Sequence, residues 1–485
     1  METSEKGPME TYLERYRPIV SDWNQFIAAL RRDLPTIIWV NPIRTNKKEL
    51  SRKFIDSGLK LTQVPWELEL LRLDNCRKPG RLAPYVNGSY HVQEEVSAIP
   101  VLALDPQPGE RILDLCAAPG NKTAQIAVRM KNTGTVLAND MEYSRLRPLK
   151  RSMERLGLLN VSTSSLDGRI FPRLENFFDR VLADVPCSCE GTIRKNIEIW
   201  NENPEVRFRR DLPEMQYQLL KKAATLCKPG GRIVYSTCTF APEENEMVLQ
   251  RLVDEHGVHL EIEPFELEGF QFNPGLKEWQ GKKFNPSIEN ARRVWPEKND
   301  TGGFFIAKIR KISSFRSEPP DLSESFKAMD WEPDGLWAEE LREQFGIANE
   351  DLSGIGFFKS NKRFISAVSK DHVRLLRPSL LSSGMFAYRA NQKVPKITSA
   401  FAMLVGAHAK KNFIELNEEQ LSIFISRKDQ ELELSAFENC DRTGYVIVRF
   451  NGEAFGVGEI PRLSRQSLTS HFPKAWAMQR IDFRI

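Results

Sequence analysis

Short apolar runs alternate with longer stretches of helical periodicity between residues 106 and 312. The runs predict β-strands at residues 111–115, 135–139, 161–164, 180–183 and 232–236. The stretches between them predict helices that include residues 144–156, 216–226 and 243–254. Strands of this length separated by helices are typical of a mostly parallel sheet covered on both faces. Such sheets bind ligands beyond the carboxyl ends of their strands.

The pattern changes on both sides of this region. Residues 1–105 mix a helix at 23–32 with a strand at 36–40, which indicates an α+β domain. A closing strand that begins near Thr301 precedes a linker at 313–320, and residues 321–395 mix helical and irregular patterns. Near the end, Asn451-Gly452 is a favoured two-residue turn between two apolar runs, which predicts a hairpin. The predicted domains are therefore residues 1–105, 106–312, 313–395 and 396–485.

Length and charge limit the possible functions only weakly. A chain of 485 residues is long enough for roughly two to four hydrophobic cores. The 69 basic and 65 acidic residues leave a net charge of +4, which permits local basic patches without requiring a polyanionic partner. One candidate patch consists of Arg44, Lys47, Lys48, Arg52 and Lys53, for which phosphate contact and a solvated helix face are both open.

Cysteine usage and targeting patterns predict a reducing, cytoplasmic location. The seven cysteines are an odd number scattered over a long chain, which argues for reduced thiols. The first residues show neither a signal-peptide core nor an Arg-rich amphipathic pattern. No apolar run approaches the length that crosses a bilayer, so we expect no membrane partner.

The stretch from Asp114 to Thr123, Asp-Leu-Cys-Ala-Ala-Pro-Gly-Asn-Lys-Thr, connects the first predicted strand to a helix. Such a turn presents backbone N–H groups to a ligand that carries oxygen acceptors or a carboxylate. A phosphate-binding P-loop would need glycines where Cys116 and Asn121 stand, and a dinucleotide fingerprint needs more glycines than Gly120. The turn therefore favours a different small-molecule site, with a tight connection that binds nothing as the alternative.

Carboxylates recur at the ends of the following strands. Asp140 ends the second strand, Asp167 soon follows the third, and Asp184 ends the fourth. Each of them alone could be a helix cap or a turn residue, and Asp167-Gly168 in particular has the composition of a turn. Their repetition at one predicted sheet edge favours a binding site.

Two cysteine-containing turns reach the same edge. Cys187 and Cys189 follow the fourth strand, and Cys238 follows the fifth. A single buried thiol is usually inert packing, whereas two at the mouth of one cleft favour a site. Zinc is not expected, because Cys187-Ser-Cys189 lacks a second Cys or His pair at ligand spacing.

Taken together, the 114–123 motif, Asp140, Asp-Val-Pro-Cys-Ser at 184–188 and Ser-Thr-Cys-Thr at 236–239 resemble the Sun-type RNA cytosine-5 methyltransferases. The resemblance covers residues 36–312, and the arrangement of the remainder is similar to the F type of bacterial small-subunit ribosomal RNA methyltransferase. It implies an α/β fold: a Rossmann-like domain that uses S-adenosyl-L-methionine, an N-terminal α+β domain, and a C-terminal extension ending in a small β-rich, PUA-like domain.

The resemblance also implies roles for individual residues. The cofactor's amino-acid end would lie against the loop, its ribose against Asp140 and its adenine against Asp167. Asp184 and Lys122 would face the target base while also belonging to the cofactor site. Cys238 matches the family's nucleophile and Cys187 its second cysteine. The loop consists of Cys116, Ala117, Ala118, Pro119, Gly120, Asn121 and Lys122; Asn121 and Cys189 stand where relatives more often have glycine.

The implied chemistry explains the use of two thiols. Carbon 5 of cytosine becomes nucleophilic only after a thiolate has added to carbon 6. Asp184 could then hydrogen-bond the ring nitrogen and stabilise the adduct, if the carboxyl is protonated. Cys187, or water that it holds, would help to remove the carbon 5 proton so that Cys238 can leave.

Structured RNA is the implied partner, and we expect a monomer. Small-subunit ribosomal RNA is the main expectation, with transfer RNA as the alternative substrate. A non-catalytic RNA-binding or assembly factor is a second class of function, against which the intact Cys187 and Cys238 argue. The segment from Leu381 onward carries a small basic excess and would dock RNA as a PUA-like module, although an ordinary small β domain fits the composition nearly as well.

Overall fold

The N-terminal region packs short helices against a small antiparallel sheet. The computed structural model describes residues 7–202, 210–315, 325–327, 329, 331–332, 335–391, 394–462 and 466–477. The strands here are β1 (Ile37–Val40), β2 (Lys60–Gln63), β3 (Leu70–Asp74) and β4 (Tyr90–Val92). The helices are α1 (Pro8–Leu13), α2 (Trp23–Leu30), α3 (Lys47–Asp56), α4 (Ala83–Val86) and α5 (Ile99–Leu104). The sheet order is β2-β3-β1-β4, and the predicted α+β character is confirmed.

A mixed sheet forms the centre of the molecule. Its parallel strands are β5 (Arg111–Asp114), β6 (Thr135–Asn139), β7 (Val161–Ser164), β8 (Phe178–Asp184) and β9 (Cys227–Thr237). Antiparallel strands extend it: β10 (Leu260–Glu263), β11 (Asn273–Pro274), β14 (Arg292–Val294) and β15 (Phe304–Lys311). Next to it, β12 (Glu278–Trp279) and β13 (Lys282–Lys283) form a separate pair. The parallel strands run in the order β9-β8-β5-β6-β7, so their carboxyl ends share one edge.

Helices cover both faces of this sheet: α6 (Asn121–Arg129), α7 (Tyr143–Leu156), α8 (Ile197–Glu202), α9 (Leu212–Leu226), α10 (Glu246–His256) and α11 (Pro296–Asn299). Separate buried clusters lie on its two sides, with Leu113 in one and Ile112 in the other. This alternation of neighbouring side chains is what a sheet buried on both faces requires. The predicted parallel α/β domain is therefore confirmed.

The structure agrees more closely with the predicted positions of the strands than with the predicted lengths of the elements. Strand β9 begins at Cys227 instead of residue 232, because pairing with β8 draws in a polar, glycine-containing segment that lacks an apolar pattern. Helix α10 begins at Glu246 instead of residue 243, since the preceding residues form turns around Pro242. Both differences arise at segment ends, where backbone pairing and proline geometry outweigh hydrophobic periodicity.

The described C-terminal residues form two further sheets. The strands are β16 (Phe326–Lys327), β17 (Ile355–Lys359), β18 (Phe364–Ser369), β19 (Arg374–Leu375), β20 (Ser382–Ser383), β21 (Met385–Arg389), β22 (Lys396–Ile397), β23 (Phe413–Glu415), β24 (Gln430–Glu431), β25 (Gly444–Phe450), β26 (Glu453–Ile460) and β27 (Ser467–Ser470). The helices are α12 (Leu336–Phe345), α13 (Ser399–Val405) and α14 (Glu418–Ile425). One sheet has the order β17-β18-β21-β22 and the other β23-β25-β26-β27-β24, while β16 pairs with β19.

The hairpin predicted around Asn451-Gly452 is confirmed as β25 and β26. The predicted linker lies partly outside the described residues, at 316–320. Strand β22 pairs with β21, and one buried cluster joins Leu341, Phe401 and Ile447, so a division at residue 396 crosses both a sheet and a core. Strand β20 pairs with β7, which ties the C-terminal segment to the central sheet. Among the helices that the structure describes, none is long and apolar enough to span a bilayer.

The candidate basic patch does not form one surface. The Arg44 guanidinium donates to the carbonyl oxygens of Met403 and Arg155. Lys53 forms ion pairs with Glu453 at 2.7 Å and with Glu49 at 3.0 Å. These side chains therefore join the N-terminal region to the C-terminal sheets. Only part of the patch, including the exposed Lys48 and Arg52, faces solvent.

Candidate active site

The loop between β5 and α6 is fixed at the carboxyl edge of the central sheet. The Ala118 N–H donates to the Asp140 carboxylate at 3.1 Å. Gly120 has a φ of 106°, and a Cβ at this position would lie 2.7 Å from Leu149 Cγ on α7. Only glycine tolerates both this backbone conformation and this close approach. The predicted strand-to-helix turn is thus confirmed, with its one glycine at the position where helix packing demands it.

Backbone donors and a buried carboxylate lie side by side in this turn. No side chain of the described residues caps the N-terminus of α6, so its first N–H groups remain available to a ligand. Asp140 is 4% exposed and also accepts from the Glu142 N–H at 3.0 Å. Donors for a carboxylate next to an acceptor for hydroxyl groups fit the methionine and ribose parts of S-adenosylmethionine.

Asp114, which the sequence argument used only as the start of the motif, lies beneath this turn. Its Oδ2 accepts from the Thr123 hydroxyl at 2.7 Å, and its buried Oδ1 has no hydrogen-bond partner among the described residues. Burial raises the pKa of this carboxyl to about 7, with a further contribution from the Asp184 charge. The site therefore contains a carboxyl group that can carry a proton near neutral pH.

The Asn121 side chain is held away from the loop by a buried pair. The Arg155 guanidinium donates to His91 Nδ1 at 2.8 Å, and His91 Nε2 lies 3.0 Å from Asn121 Oδ1. Burial, together with the Arg155 charge, lowers the pKa of His91 to about 4. The neutral ring therefore carries its proton on Nε2 and donates it to Asn121. This contact explains how the Asn121 side chain is accommodated at the start of α6.

Lys122 and Asp184 form the charged centre of the cleft. Lys122 Nζ lies 2.7 Å from Asp184 Oδ2, and the Ser236 hydroxyl donates to Asp184 Oδ1 at 2.7 Å. Burial alone would lower the pKa of Lys122, but the Asp184 carboxylate raises it above its ordinary value. Negative charge on Cys238 would raise it further. A protonated lysine is thus paired with a carboxylate and interacts electrostatically with the predicted nucleophile.

The two predicted catalytic thiols are neighbours. Cys187 Sγ lies 3.4 Å from Cys238 Sγ and 3.9 Å from Cys189 Sγ. A hydrogen bond from Cys187 lowers the pKa of the Cys238 thiol, but its contact with Cys189 and its burial raise that pKa well above the ordinary value overall. Contacts with the other thiols and burial likewise raise the pKa of Cys187. In the ligand-free protein these groups are therefore neutral thiols.

Buried carboxylates that the sequence argument missed hold the two cysteine turns together. Glu190 accepts from the hydroxyls of Tyr16 and Thr239, at 2.7 and 2.8 Å. Glu244 accepts from the Ser188 N–H at 3.0 Å. Fully buried glutamates are rare unless they are bonded in this way. The position of these glutamates next to the cysteine motifs was the signal that the sequence offered. Their role could not be inferred from it, because their hydrogen-bond partners come from distant parts of the chain.

Asp167 occupies a different setting from the other carboxylates. It follows β7, caps the turn Gly168–Ile170, and forms a 2.6 Å ion pair with Arg169. The Arg169 contact lowers its pKa. The charged groups that act on the Asp114 carboxyl are Asp184, Lys122 and Asp140, so the structure brings those together and leaves Asp167 at the partly exposed margin.

The remaining loop residues complete the wall of the site. Ala117 is buried and donates its N–H to the Asn139 carbonyl oxygen at 2.7 Å. Burial raises the pKa of the Cys116 thiol well above its ordinary value, and the nearby carboxylates add to that effect. Ala118 and Pro119 are joined by a cis peptide bond. Cys116 packs against the buried cluster that contains Leu113.

Comparison with known proteins agrees with this geometry. The family model described as 16S rRNA methyltransferase RsmB/F matches residues 101–310. The Ribosomal RNA small subunit methyltransferase F of Aeromonas hydrophila is 30% identical over 452 residues, which cover 90% of each chain. The mouse 28S rRNA (cytosine-C(5))-methyltransferase is 36% identical over 322 residues, or 65% of this chain. The matched part spans only 40% of that mouse protein's length.

The fold is similar to that of solved methyltransferases. The crystal structure of a methyltransferase homologue from Pyrococcus horikoshii superimposes with a TM-score of 0.54 and 33% sequence identity. The match covers 62% of this chain and 94% of the Pyrococcus chain.

Proposed function

The chain belongs to the RsmB/F family of 16S rRNA methyltransferases, and from that membership we propose that it methylates carbon 5 of a cytosine in structured RNA. The proposed methyl donor is S-adenosyl-L-methionine, and the proposed substrate is small-subunit ribosomal RNA. The observation that carries the proposal is the pair of thiols, 3.4 Å apart, at the sheet edge that also holds the Lys122–Asp184 ion pair.

In this proposal, Cys238 forms the covalent bond to the base. Its thiol loses a proton, and the sulfur adds to carbon 6 of cytosine, which makes carbon 5 nucleophilic. The nearby Lys122 ammonium stabilises the thiolate, which burial would otherwise disfavour. The bound cofactor would supply an electrophilic methyl group for carbon 5.

Asp184 and Lys122 would act on the opposite side of the ring. Lys122 and Ser236 both donate to Asp184, so the three side chains form one hydrogen-bonded group. Lys122 is then the group that can deliver a proton through Asp184 as negative charge develops on the ring nitrogen. Water held by Cys187, or Cys187 after its thiol has lost its own proton to solvent, would take the carbon 5 proton so that the bond to Cys238 can break.

The cofactor residues are proposed from the geometry of the turn. The α6 N-terminus and the residues from Cys116 to Lys122 would hold the carboxylate end. Asp140 would accept hydrogen bonds from the ribose hydroxyls, and Asp167 would contact the adenine at the margin of the site. Support for the first two assignments is the uncapped helix and the buried carboxylate.

The C-terminal sheets are proposed to dock RNA as a PUA-like module, away from the methylated base. We further propose that the protein acts as a monomer. We also propose a cytoplasmic location, since the chemistry requires reduced thiols.

The experiment that tests the proposal is methyl transfer from labelled cofactor by the purified protein to small ribosomal subunits, their isolated RNA, and transfer RNA. Mapping of 5-methylcytosine in cells with and without the protein then identifies the cytosine. Labelling of transfer RNA alone would reverse the choice of substrate. RNA binding without labelling of any substrate would favour a non-catalytic assembly factor.

A further inference from the structure

Three thiols meet at the carboxyl edge of the sheet, although the proposed methyl transfer uses only two of them. We propose that Cys187, Cys189 and Cys238 together bind a single thiophilic metal ion, Zn²⁺ in the cell, and that this ion reversibly blocks Cys238. The proposal gives Cys189 a function, which neither the fold nor the methylation chemistry supplies.

The spacing of the sulfur atoms fits one ion. Cys187 Sγ lies 3.4 Å from Cys238 Sγ and 3.9 Å from Cys189 Sγ, and all three sulfurs lie within 4.8 Å of one another. Zinc–thiolate bonds of about 2.3 Å place two sulfurs of a tetrahedral site roughly 3.8 Å apart. The observed distances lie on both sides of that value, so small side-chain rotations bring the three sulfurs to one centre.

The backbone at Cys189 also indicates a constraint. Cys189 has a φ of 62°, the left-handed conformation that favours glycine, and it precedes the turn Glu190–Lys195. A non-glycine residue is strained in that conformation. Such a residue persists where its side chain contributes something in return. The Cys189 thiol donates to the Cys187 carbonyl oxygen at 3.2 Å, and this position holds its sulfur atom 3.9 Å from Cys187 Sγ.

The two turns that carry the thiols are fixed to each other. The Gly191 N–H donates to the Cys238 carbonyl oxygen at 2.8 Å, and the Thr192 N–H donates to the Cys189 carbonyl oxygen at 3.0 Å. The hydroxyl groups of Ser188 and Thr239 add a 2.7 Å contact between the turns. The site is therefore organised before an ion arrives, which reduces the entropic cost of binding.

Charge at the site suits a cation bound by thiolates. Metal binding displaces the thiol protons, and three thiolates with one divalent ion carry a net charge of −1. The Lys122 ammonium, which responds electrostatically to charge on Cys238, offsets that charge. The sequence argument against zinc considered only residues close in sequence. Folding adds Cys238, which lies 51 positions from Cys187.

The consequence for activity rests on the proposed function, whereas metal binding does not. A sulfur bound to zinc cannot add to carbon 6 of a pyrimidine, so the ion and the RNA base compete for Cys238. The cofactor turn contributes no ligand to the ion. Zinc is therefore expected to inhibit methyl transfer while leaving S-adenosylmethionine affinity unchanged.

The test is metal titration of the reduced, full-length protein with no RNA present. Competition with a chromophoric chelator measures Zn²⁺ affinity, and Co²⁺ gives thiolate-to-metal charge-transfer absorption that reports the number of sulfur ligands. We expect one ion per chain and three sulfur ligands. Cys189→Gly should weaken Zn²⁺ binding by at least tenfold, whereas Cys440→Ala, which alters a cysteine in the C-terminal region, should have no effect.

A second variant separates ligation from backbone strain. Cys189→Ser keeps a side chain in the left-handed conformation but removes the sulfur, so it should weaken Zn²⁺ binding as Cys189→Gly does. Equal affinity in wild type and both Cys189 variants, each folded by thermal melting, would overturn the proposal.

The inhibition is measured as the Zn²⁺ concentration that halves methyl transfer, relative to each variant's own metal-free activity. It should be higher for Cys189→Gly than for wild type, and a chelator should restore activity. If the protein methylates no RNA, the proposed function fails while the titration still decides the metal site. If methylation occurs but no ion binds, only the metal proposal fails.

Discussion

Buried charged groups have different surroundings in the central parallel sheet and in the five-stranded C-terminal sheet. At the carboxyl edge of the central sheet, Asp114 keeps an oxygen without a partner among the described residues, and Lys122 pairs with Asp184 beside the cysteine turns. In the C-terminal sheet, buried Arg449 on β25 donates to the carbonyl oxygens of Gly406, Ala407 and Ala409. The edge of the central sheet keeps unsatisfied or reactive groups, whereas the C-terminal sheet satisfies its buried charge with hydrogen bonds to the backbone.

Strand direction explains much of this difference. Parallel strands place all their carboxyl ends, with the turns that follow them, at one edge. In the C-terminal sheet, β25, β26 and β27 alternate in direction, so the turns are divided between two edges. Polar side chains therefore converge in the first sheet and disperse in the second. The comparison predicts that substitutions in the first region alter chemistry and those in the second alter stability.

The largest expected effect is at the nucleophile. Cys238→Ala should reduce methyl transfer by on the order of a thousandfold or more, as removal of a covalent nucleophile does in other enzymes. Cys187→Ala should instead trap a covalent protein–RNA adduct, because release and not addition fails. A denaturing gel with labelled RNA detects the adduct. An adduct with Cys238→Ala but not with Cys187→Ala would exchange the two roles, and Cys440→Ala serves as the control in the C-terminal region.

The next effect is on stability in the C-terminal sheet. Arg449→Met should destabilise the fold by about 2–4 kcal/mol, because it removes the charged donor to the Gly406 and Ala409 carbonyl oxygens, both of which belong to buried residues. Chemical denaturation measures the change, and substitution of the exposed Arg462 by Met is the matched control. Methyl transfer by the folded fraction should stay near the wild-type rate. A large loss of turnover without loss of stability would contradict the contrast between the regions.

Asp140→Ala tests the cofactor assignment. Loss of charge-assisted hydrogen bonds to the ribose should cost about 1.5–3 kcal/mol, or roughly ten- to a hundredfold in S-adenosylmethionine affinity. Calorimetry measures this affinity directly, with the exposed Asp254→Ala as a control. Wild-type affinity in a folded Asp140→Ala protein would remove Asp140 from the cofactor site.

Asp114 predicts a pH dependence of stability. Its pKa is raised from 3.8 to about 7, so between these values the folded protein keeps a proton that the unfolded chain has released. The stability from this group is complete below the unfolded pKa and is lost as pH rises through the folded pKa. Asp114→Asn cannot ionise, so its stability relative to wild type should improve by up to about 1.4 kcal/mol per pH unit across that window. Denaturation at both ends of the window measures this difference, and a constant difference would show that Asp114 stays ionised.

The smallest effect concerns RNA docking by the C-terminal region. Alanine at the exposed residues Lys410, Lys428 and Lys474 should lower RNA affinity and flatten its salt dependence, by roughly 0.7–0.9 in log–log slope for each phosphate that is no longer neutralised. Arginine at the same positions preserves the charge and should preserve the slope. Substitution is preferable to deletion from Leu381, because that deletion would remove β20 from the central sheet. An unchanged slope in the alanine variant would leave these lysines without a role in docking.

Local sequence patterns were sufficient to predict the strand-to-helix turn and the positions of the strands around it. The apolar runs of β5 to β9 are local features of the sequence, whereas the need for glycine at position 120 also comes from packing against Leu149 on α7. The direction of the sheet followed from the alternation of strands and helices, since parallel strands need crossover connections. Hence the sequence was enough to identify the sheet edge that carries Asp140, Asp184, Cys187 and Cys238.

The contacts that give those groups their properties depend on tertiary structure. The pairing of Cys187 with Cys238, the bonds from Tyr16 to Glu190 and from Arg155 to His91, and the use of Arg44 to join two regions all link residues far apart in sequence. No periodicity encodes such pairs, because they depend on how whole elements pack. The sequence by itself determined which reactive side chains reach the sheet edge. The tertiary structure determined which of these side chains are in contact and which are neutral, since burial and distance set their pKa values. It also placed Cys189 beside the other two thiols, at distances that suit coordination of one ion.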